Sequence, residues 1–131
     1  MSEPIVFISH LRIKSGKLDE CKQFVQRGAT LMESSKPGTV AFLAYLNEDG
    51  TEVSFVHLFP DAEAMERHME GAGDRARAAY ELLEPAGFEI YGKAPEAILE
   101  MLKRASGSGA TLRVKPQPLA GYIRLKDPDV T

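Results

Sequence analysis

The chain has 131 residues, 44% of them hydrophobic, and a formal net charge of −3, which is the composition of one globular domain. This charge excludes the basic surface of a nucleic-acid-binding protein, and no apolar run reaches the roughly 20 residues that cross a bilayer. A single cysteine, Cys21, excludes an internal disulfide and zinc sites built from cysteine pairs, and the first residues lack a secretory leader, so we expect a cytoplasmic protein.

A strand followed by a helix is predicted first. Residues 5–13 alternate between two faces and include β-branched types, and this period of two predicts a strand. Apolar or small residues then recur every three or four positions from Leu18 to Met32, which predicts a helix. Cys21 lies on this stripe, so we interpret it as a small buried side chain rather than a reactive thiol. Residues 36–38, Lys-Pro-Gly, are expected to end the helix.

A hairpin and a broken helix follow. Residues 39–47 and 52–59 are rich in Val, Phe, Leu and Tyr and flank a polar turn, which predicts two antiparallel strands. Asp61 stands at the start of a helical pattern and is a suitable N-cap. The glycines within residues 71–73 interrupt this pattern, and Asp74 is suited to cap a second helical piece.

A fourth strand completes a familiar order of elements. Residues 85–87, Pro-Ala-Gly, are expected to end the second helical piece, and residues 88–91 predict a short strand. The order is then β-α-β-β-α-β, the α+β ferredoxin-like plait, in which one antiparallel sheet carries its helices on one side. Both faces of the second strand are apolar, so the other side of the sheet also needs a cover. A second copy of the chain is the simplest cover, and we predict a homodimer.

Residues 1–93 would form this plait domain and residues 94–131 an extension of it. An apolar stripe after Pro95 predicts a further helix. Residues 111–115 and 119–125 predict two short extended segments, which the neighbouring prolines limit to sheet edges. We expect the extension to pack on the same domain or on the partner subunit.

The element order and the passage FVHLFPDAEAMERHM, residues 55–69, resemble the antibiotic biosynthesis monooxygenase-like family of dimeric α+β barrels. In that family a third strand ends in an aromatic residue, followed by a short step to Asp, a helix, and a histidine about two turns on. This chain has Phe59, Asp61, Ala64 and His68 at these places. The resemblance covers residues 4–93 and implies a ferredoxin-like fold that forms a dimeric α+β barrel.

The chain also departs from the family. Many members carry a glutamate where this chain has His57, and many carry a tryptophan near the end of the strand, whereas this chain has none. The haem-degrading branch uses an Asn, a Trp and a His, of which only His68 has a counterpart, so haem degradation is disfavoured. Members include cofactor-independent oxygenases of quinols and polyketide phenols. The resemblance therefore implies a monooxygenase-like protein that acts on an aromatic small molecule without a cofactor.

His57 and His68 are the candidate catalytic residues, as proton carriers. A deprotonated, electron-rich aromatic ring can pass an electron to oxygen without metal or flavin, provided that a dry pocket holds the ring and a base takes its proton. Histidine has the unperturbed pKa suited to that task. The alternatives stay open: a buried core or interface role for His57, and a helix-face residue with a structural partner for His68. Met65 and Met69 share the helix face of His68 and are expected in the core.

The candidate substrate-binding residues are His10, Arg12, Tyr45, Phe59 and Tyr80. Strands one and three are neighbours in the plait, so His10 and His57 would approach each other if they share a face. Arg12 would hold an anionic group by charge-assisted hydrogen bonds, and Phe59 and Tyr45 would be pocket walls. For His10 and Arg12, a polar pair at the dimer interface is the alternative.

No motif predicts a metal, phosphate or nucleophile site. The three histidines come from different elements without a helical ligand spacing, and the chain lacks phosphate-binding glycine loops and Gly-x-Ser-x-Gly. We expect no metal and no cofactor. Two other functions stay open because a fold does not fix a function: a non-catalytic small-molecule-binding or stress-related dimer, and a structural dimer whose C-terminal arm fills the cavity.

Overall fold

The computed structural model describes residues 3–124 and contains one five-stranded sheet with four helices. The elements in chain order are β1 (Ile5–Ile13), α1 (Leu18–Ser35), β2 (Ala41–Leu46), β3 (Glu52–Phe59), α2 (Ala62–Met69), α3 (Ala72–Ala79), β4 (Leu83–Tyr91), α4 (Glu96–Ala105), a 3-10 turn (Ser106–Ser108) and β5 (Thr111–Lys115). The strand order is β2-β3-β1-β4-β5, antiparallel throughout except that β5 runs parallel to β4. The predicted α+β, ferredoxin-like fold class is therefore confirmed. Among the described residues, no helix is long and apolar enough to cross a membrane.

Alternation along β1 divides the sheet into two faces. The odd-numbered residues from Ile5 to Leu11 are buried, whereas the even-numbered residues between them keep part of their exposure. The register pairs Phe7 with His57 of β3 and with Ile90 of β4, so all three lie on one face. We call this helix-packed side the covered face and the opposite side the open face.

The core lies between the covered face and the helices, in two adjoining clusters. The larger cluster joins strand residues to α2 and α4 and contains Ile5, Phe7, Phe59, Ala64, Met65, Phe88, Ile90, Ile98 and Leu102. The smaller cluster joins α1 to the strands and contains Leu11, Cys21, Val53 and Leu83. Burial raises the pKa of the Cys21 thiol, which keeps it protonated and inert. Because Ile98 and Leu102 belong to the larger cluster, α4 packs on the same core as the plait.

β4 is longer than the strand predicted over residues 88–91. The pairing of β1 with β4 shifts between His10 and Leu11, and Ala86 is skipped. Such a β-bulge accepts a proline that a regular ladder would exclude, and Pro85 pairs with Leu11 beside it. The Pro-Ala-Gly sequence therefore marks a bulge inside a strand rather than the end of a helix.

The starts of α1 and α2 agree with the sequence, and those of α3 and α4 differ. Asp61 is the N-cap of α2, and its Oδ1 accepts a hydrogen bond of 2.8 Å from the Ala64 backbone N–H. α3 begins after Gly71, whose φ of 79° is left-handed, so Asp74 lies inside the first turn instead of capping it. Pro95 is the N-cap of α4 rather than its first helical residue.

The C-terminal arm joins the sheet and then leaves it. β5 forms as predicted and extends the edge of the sheet beside β4. No strand forms over residues 119–124, and Leu125, the last residue of the segment predicted there, lies outside the described residues. Leu119 and Tyr122 are 98% and 80% exposed, so this part of the arm does not pack into the core.

Candidate functional site

Two of the three histidines are in contact on the covered face, where β3 ends and α2 begins. The ring centroids of His57 and His68 are 4.8 Å apart, and the rings meet edge to face. The period of β3 puts His57 on the same face as Phe59. Asp61 caps α2 directly after β3, and the helix folds back over the strand that precedes it. Close spacing along the chain thus becomes contact in the fold.

Phenylalanine rings enclose His57. The ring of Phe7 stacks on it at 5.1 Å between centroids, Phe59 stacks at 5.9 Å, and Phe42 lies tilted at 5.0 Å. His57 is 7% exposed. Burial lowers the pKa of His57 to about 4, and the charge of Arg75 acts in the same direction, against a hydrogen bond to the Phe7 carbonyl. The imidazole of His57 is therefore neutral at pH 7.

The hydrogen bond of His57 assigns its tautomer. Its Nδ1 lies 3.3 Å from the backbone oxygen of Phe7. A carbonyl oxygen only accepts hydrogen bonds, so Nδ1 must carry the hydrogen and donate it. Nε2 then holds the lone pair, and it is the atom of His57 that can take a proton.

His68 is 3% exposed, and its Nδ1 lies 2.7 Å from the hydroxyl oxygen of Thr39. Burial lowers the pKa of His68 to about 3, with further lowering from His57 and from the charges of Arg75 and Lys36. His68 is thus also neutral at pH 7, and both rings are in the form that accepts protons.

Two cations hold the C-terminal end of α2 beside the histidines. Arg75 donates hydrogen bonds of 2.6 Å to the His68 carbonyl and 2.8 Å to the Glu70 carbonyl. Lys36 donates from Nζ to the carbonyls of Arg67 and Glu70, at 2.8 and 3.2 Å. Both cations stabilise the negative end of the helix dipole. They also place positive charge where an anion formed at the histidine pair would be stabilised.

Two clefts open next to the pair. A polar cleft of about 190 Å³ lies between residues 35–39 and α2, and His68 and Thr39 line it. An apolar cleft of about 260 Å³ lies between α1 and the hairpin of β2 and β3, and Phe42 lines it. His57 touches both Phe42 and His68, so it stands between the two clefts.

His10 lies on the open face, away from the histidine pair. Its Nδ1 is 2.7 Å from the Ser54 hydroxyl and its Nε2 is 2.6 Å from Oε2 of Glu89. The Tyr91 hydroxyl donates to Oε1 of Glu89 at 2.5 Å, and these two bonds lower the pKa of Glu89. The approach of His10 to His57 that adjacent strands permit is not found, because the two residues point to opposite faces.

Arg12 also binds within its own sheet. Its guanidinium donates a 3.3 Å hydrogen bond to the Pro85 carbonyl, and Nε lies 4.0 Å from the carboxylate of Glu84. Its side chain is half exposed. The structure does not bring Arg12 to the histidine pair.

The aromatic candidates divide between core and surface. Phe59 is fully buried and contacts both histidine rings, at 5.9 Å from His57 and 5.2 Å from His68. Tyr45 borders the apolar cleft, but it pairs with Ser54, so its side chain lies on the open face, where it is 58% exposed. Tyr80 follows the end of α3, and burial raises the pKa of its hydroxyl. Only Phe59 contacts the pair.

Thr39, Phe42 and Arg75 belong to the site but carry no motif. The period of β2 and its pairing with β3 place Phe42 opposite His57, and this neighbour follows from the predicted hairpin once the register is known. Thr39 and Arg75 lie in a loop and on α3, and their positions depend on tertiary packing. Within residues 3–124, no three His, Cys, Asp or Glu side chains are grouped to hold a metal ion.

Solved structures share this fold. MupZ from Pseudomonas fluorescens matches with a TM-score of 0.64 and 18% identity over 92% of this chain and 91% of its own. SnoaB from Streptomyces nogalater, a cofactor-independent oxygenase, matches with a TM-score of 0.59 and 16% identity over 72% of this chain and 96% of its own. A Bacteroides thetaiotaomicron protein assigned provisionally as an antibiotic biosynthesis monooxygenase matches with a TM-score of 0.57 and 14% identity, over 72% and 90%.

These likenesses concern the fold. No protein-family model and no curated protein sequence matches the chain. The structural neighbours confirm the resemblance to antibiotic biosynthesis monooxygenase-like proteins that the sequence predicts, at the level of a monooxygenase-like α+β fold.

Proposed function

We propose that the chain is a cofactor-independent monooxygenase of an aromatic, quinol or phenol-like small molecule and that it acts as a homodimer. One observation carries the proposal: a neutral pair of histidines, His57 and His68, is buried in a phenylalanine shell between two clefts. A dry aromatic pocket with a proton acceptor is what such a reaction requires.

The apolar cleft is the proposed site of the aromatic ring. It lies between α1 and the hairpin, with small or apolar side chains from both, and Phe42 connects it to His57. Phe42 offers the ring of a substrate an edge or a face at low entropy cost. Phe59 supports the histidines from the core side, and Tyr45 stands at the exposed rim of the cleft. Tyr80 has no part in this proposal.

His57 is the proposed base. Its Nε2 would accept the hydroxyl proton of the substrate, and Arg75 and Lys36 would favour the phenolate that forms. Burial lowers the pKa of both resting imidazoles, and the charge of Arg75 lowers both further, so the pair is neutral until a substrate binds. A phenolate beside the new imidazolium raises the pKa of that imidazolium, which makes the transfer favourable only when substrate is present.

The reaction balances without a cofactor. The phenolate passes one electron to O₂, and the resulting ring radical and superoxide join at a ring carbon as a peroxide. His57 then gives a proton to the outer peroxide oxygen. The O–O bond then breaks, the hydrogen on that carbon leaves with the outer oxygen as water, and the inner oxygen stays on the ring as a carbonyl. One phenol and one O₂ thus give one quinone and one water.

The open face is the proposed dimer interface. Its partly exposed apolar side chains come from three adjacent strands: Val6, Ile8, Ala41, Leu43, Val56 and Leu58. Two such faces can pack against each other as a sandwich. The network of His10, Ser54, Glu89 and Tyr91 lies on this face, so we assign His10 and Arg12 to the interface rather than to substrate. The single, buried Cys21 suits a reducing compartment, and a cytoplasmic location is part of the proposal.

Oxygen consumption with a panel of reduced quinols and phenols tests the activity. We expect uptake in the wild type and a loss of about a hundredfold in His57→Ala and in His68→Ala, since that is the usual contribution of a general base. Ile98→Ala is the matched control, because it also removes a buried side chain of the core but lies on α4, outside the shell of phenylalanine rings around His57. It should lower stability and leave the rate per folded molecule unchanged.

The outcomes separate the candidate functions. Saturable binding of a phenol without oxygen uptake would contradict the enzyme and favour the non-catalytic binding protein. If no compound of the panel binds and none supports oxygen uptake, the structural dimer is the candidate function that remains. Equal losses of rate in Ile98→Ala and His57→Ala would show that the loss reflects folding rather than chemistry.

A further inference from the structure

We propose that Thr39 is a positioning residue for proton transfer and forms the outer end of a relay from His57 through His68 to the polar cleft. The inference rests on the proposed function and deepens it, because it states how the buried base exchanges its proton with solvent. The relay is built from a strand, a helix and a loop, and each link is a contact of the described structure.

Among the aromatic rings around His57, one can take a proton from it when no substrate does. Four aromatic rings pack against it, and three of them are the phenylalanines Phe7, Phe42 and Phe59, which carry no exchangeable hydrogen. The fourth is His68. The Phe7 carbonyl at Nδ1 accepts a hydrogen bond but cannot pass a proton on. A proton that reaches Nε2 of His57 therefore leaves either with the substrate or through His68.

The inner link joins the two imidazoles. Their centroids are 4.8 Å apart with an angle of 75° between the rings, so the edge of one ring faces the other. The torsion about the bond from Cβ to a histidine ring is broad, so the rings can turn, and the transfer would take place in an orientation that brings two of their nitrogens into hydrogen-bond reach. An imidazole can accept a proton at one nitrogen and release one from the other, which is how His68 would pass it on.

The outer link is the hydroxyl of Thr39. Its oxygen lies 2.7 Å from Nδ1 of His68, and a hydroxyl can donate and accept at the same time. The Thr39 backbone N–H donates a 3.0 Å hydrogen bond to the Lys36 carbonyl, which fixes the loop. Thr39 lines the polar cleft, so the chain of groups ends at a surface opening.

The positive charges near His68 disfavour its protonated form. Lys36 and Arg75 lie close enough to oppose a lasting charge on His68, and Arg67 and Glu70 also line the cleft. A proton would therefore pass through His68 rather than rest there. The proposed reaction removes one proton from the substrate and returns one to the peroxide, so the relay would run in both directions within a turnover.

Thr39→Val tests the relay, because it replaces the hydroxyl with a methyl group of similar size. We expect kcat for oxygen uptake to fall at least about tenfold with KM nearly unchanged, since only proton transfer is impaired. Thr39→Ser should restore the rate. The matched control is Thr30→Val, since the Thr30 hydroxyl donates only to the Gln26 carbonyl of its own helix, and this variant should behave like the wild type.

A second readout does not depend on activity. Nitrogen-15 NMR of the imidazoles should show a shifted His68 Nδ1 resonance and slower exchange of the His57 N–H with water in Thr39→Val, both reversed in Thr39→Ser. Wild-type exchange and wild-type kcat in Thr39→Val would overturn the relay. If the wild type consumes no oxygen, the proposed function fails, and the exchange rates alone decide whether the relay exists. If Thr39→Val does not fold, Thr39→Ala serves the same comparison.

Discussion

The buried imidazoles link stability to pH at the scale of single residues. In the folded chain His57 and His68 have pKa values of about 4 and about 3, below the ordinary value near 6.5 that they regain on unfolding. Between these values the unfolded chain binds more protons than the folded one. The free energy of unfolding therefore rises with pH over this range. The contribution of the two histidines to it is lost progressively as the pH falls below about 6.5.

We predict that urea unfolding will show this loss between pH 7.5 and pH 5. Each unit by which a pKa is depressed is worth about 1.4 kcal/mol, so the midpoint should move clearly to lower urea. The double variant His57→Phe, His68→Leu should flatten the dependence, because neither new side chain titrates. Ile98→Val should lower stability at both pH values and keep the slope. An unchanged slope in the double variant would contradict the assignment.

The sequence indicates some residues of the candidate site and not others, for physical reasons. His57 and His68 stand eleven positions apart across a single strand-to-helix step, so their meeting follows from local structure. The contact of Thr39 with His68 spans 29 positions and that of His10 with Glu89 spans 79. Such pairs depend on the register of the whole sheet and on the docking of helices, which no local pattern encodes. The parity that separates His10 from His57 also required the register.

At the scale of elements, one glycine sets the docking of β5. A Cβ added at Gly87 would lie 2.8 Å from the Thr111 hydroxyl oxygen, closer than atoms pack, although other Thr111 atoms are at ordinary distances. Gly87 and Thr111 are register partners of the parallel pair. The missing side chain thus lets β5 approach β4.

We predict that Gly87→Ala lowers the free energy of unfolding by about 1 to 3 kcal/mol, as overpacking does. Thr111→Ala removes the obstructing hydroxyl, so the double variant should be more stable than the sum of the single effects by about 1 kcal/mol. Urea unfolding of the four proteins in the cycle measures this coupling. Strict additivity would show that the hydroxyl is not the obstacle.

Element boundaries were predictable where local chemistry decides them. The starts of α1 and α2 and both ends of β3 and β5 follow from periodicity, from the Asp61 cap and from flanking turns. The predicted start of β4 is wrong because Pro-Ala-Gly usually ends an element, whereas here the pairing with β1 accommodates it as a β-bulge. α3 begins earlier than predicted because Gly71, in a left-handed conformation, is its N-cap in place of Asp74, and no side chain caps this helix.

At the scale of the whole molecule, the open face carries the prediction about assembly. Leu43 lies on it and is 47% exposed. Leu43→Asp should weaken dimerisation at least about tenfold, because a charge would be buried among apolar side chains. Sedimentation equilibrium measures the change. Leu31→Asp is the control, since Leu31 is 67% exposed on α1, on the helix side of the sheet.

Two results would contradict the assembly. A wild type that is monomeric at micromolar concentration would contradict the predicted homodimer. An equal weakening of dimerisation by Leu31→Asp would indicate that the interface lies on the helix side instead. The prediction of an α+β plait succeeded because the element order leaves few arrangements that bury every apolar face. That same reasoning exposed the open face before any register was known.

The sheet acts as a partition. Phe7 and His57 pair on one side of β1 and β3, and His10 and Ser54 pair three positions along on the other. A partner bound to the open face would therefore contact the side of the sheet opposite the histidine pair, while both clefts lie on the helix side of one chain. Each copy would therefore contain a complete candidate site of its own. In a pair assembled from one intact and one disabled copy, the intact half would keep its full turnover.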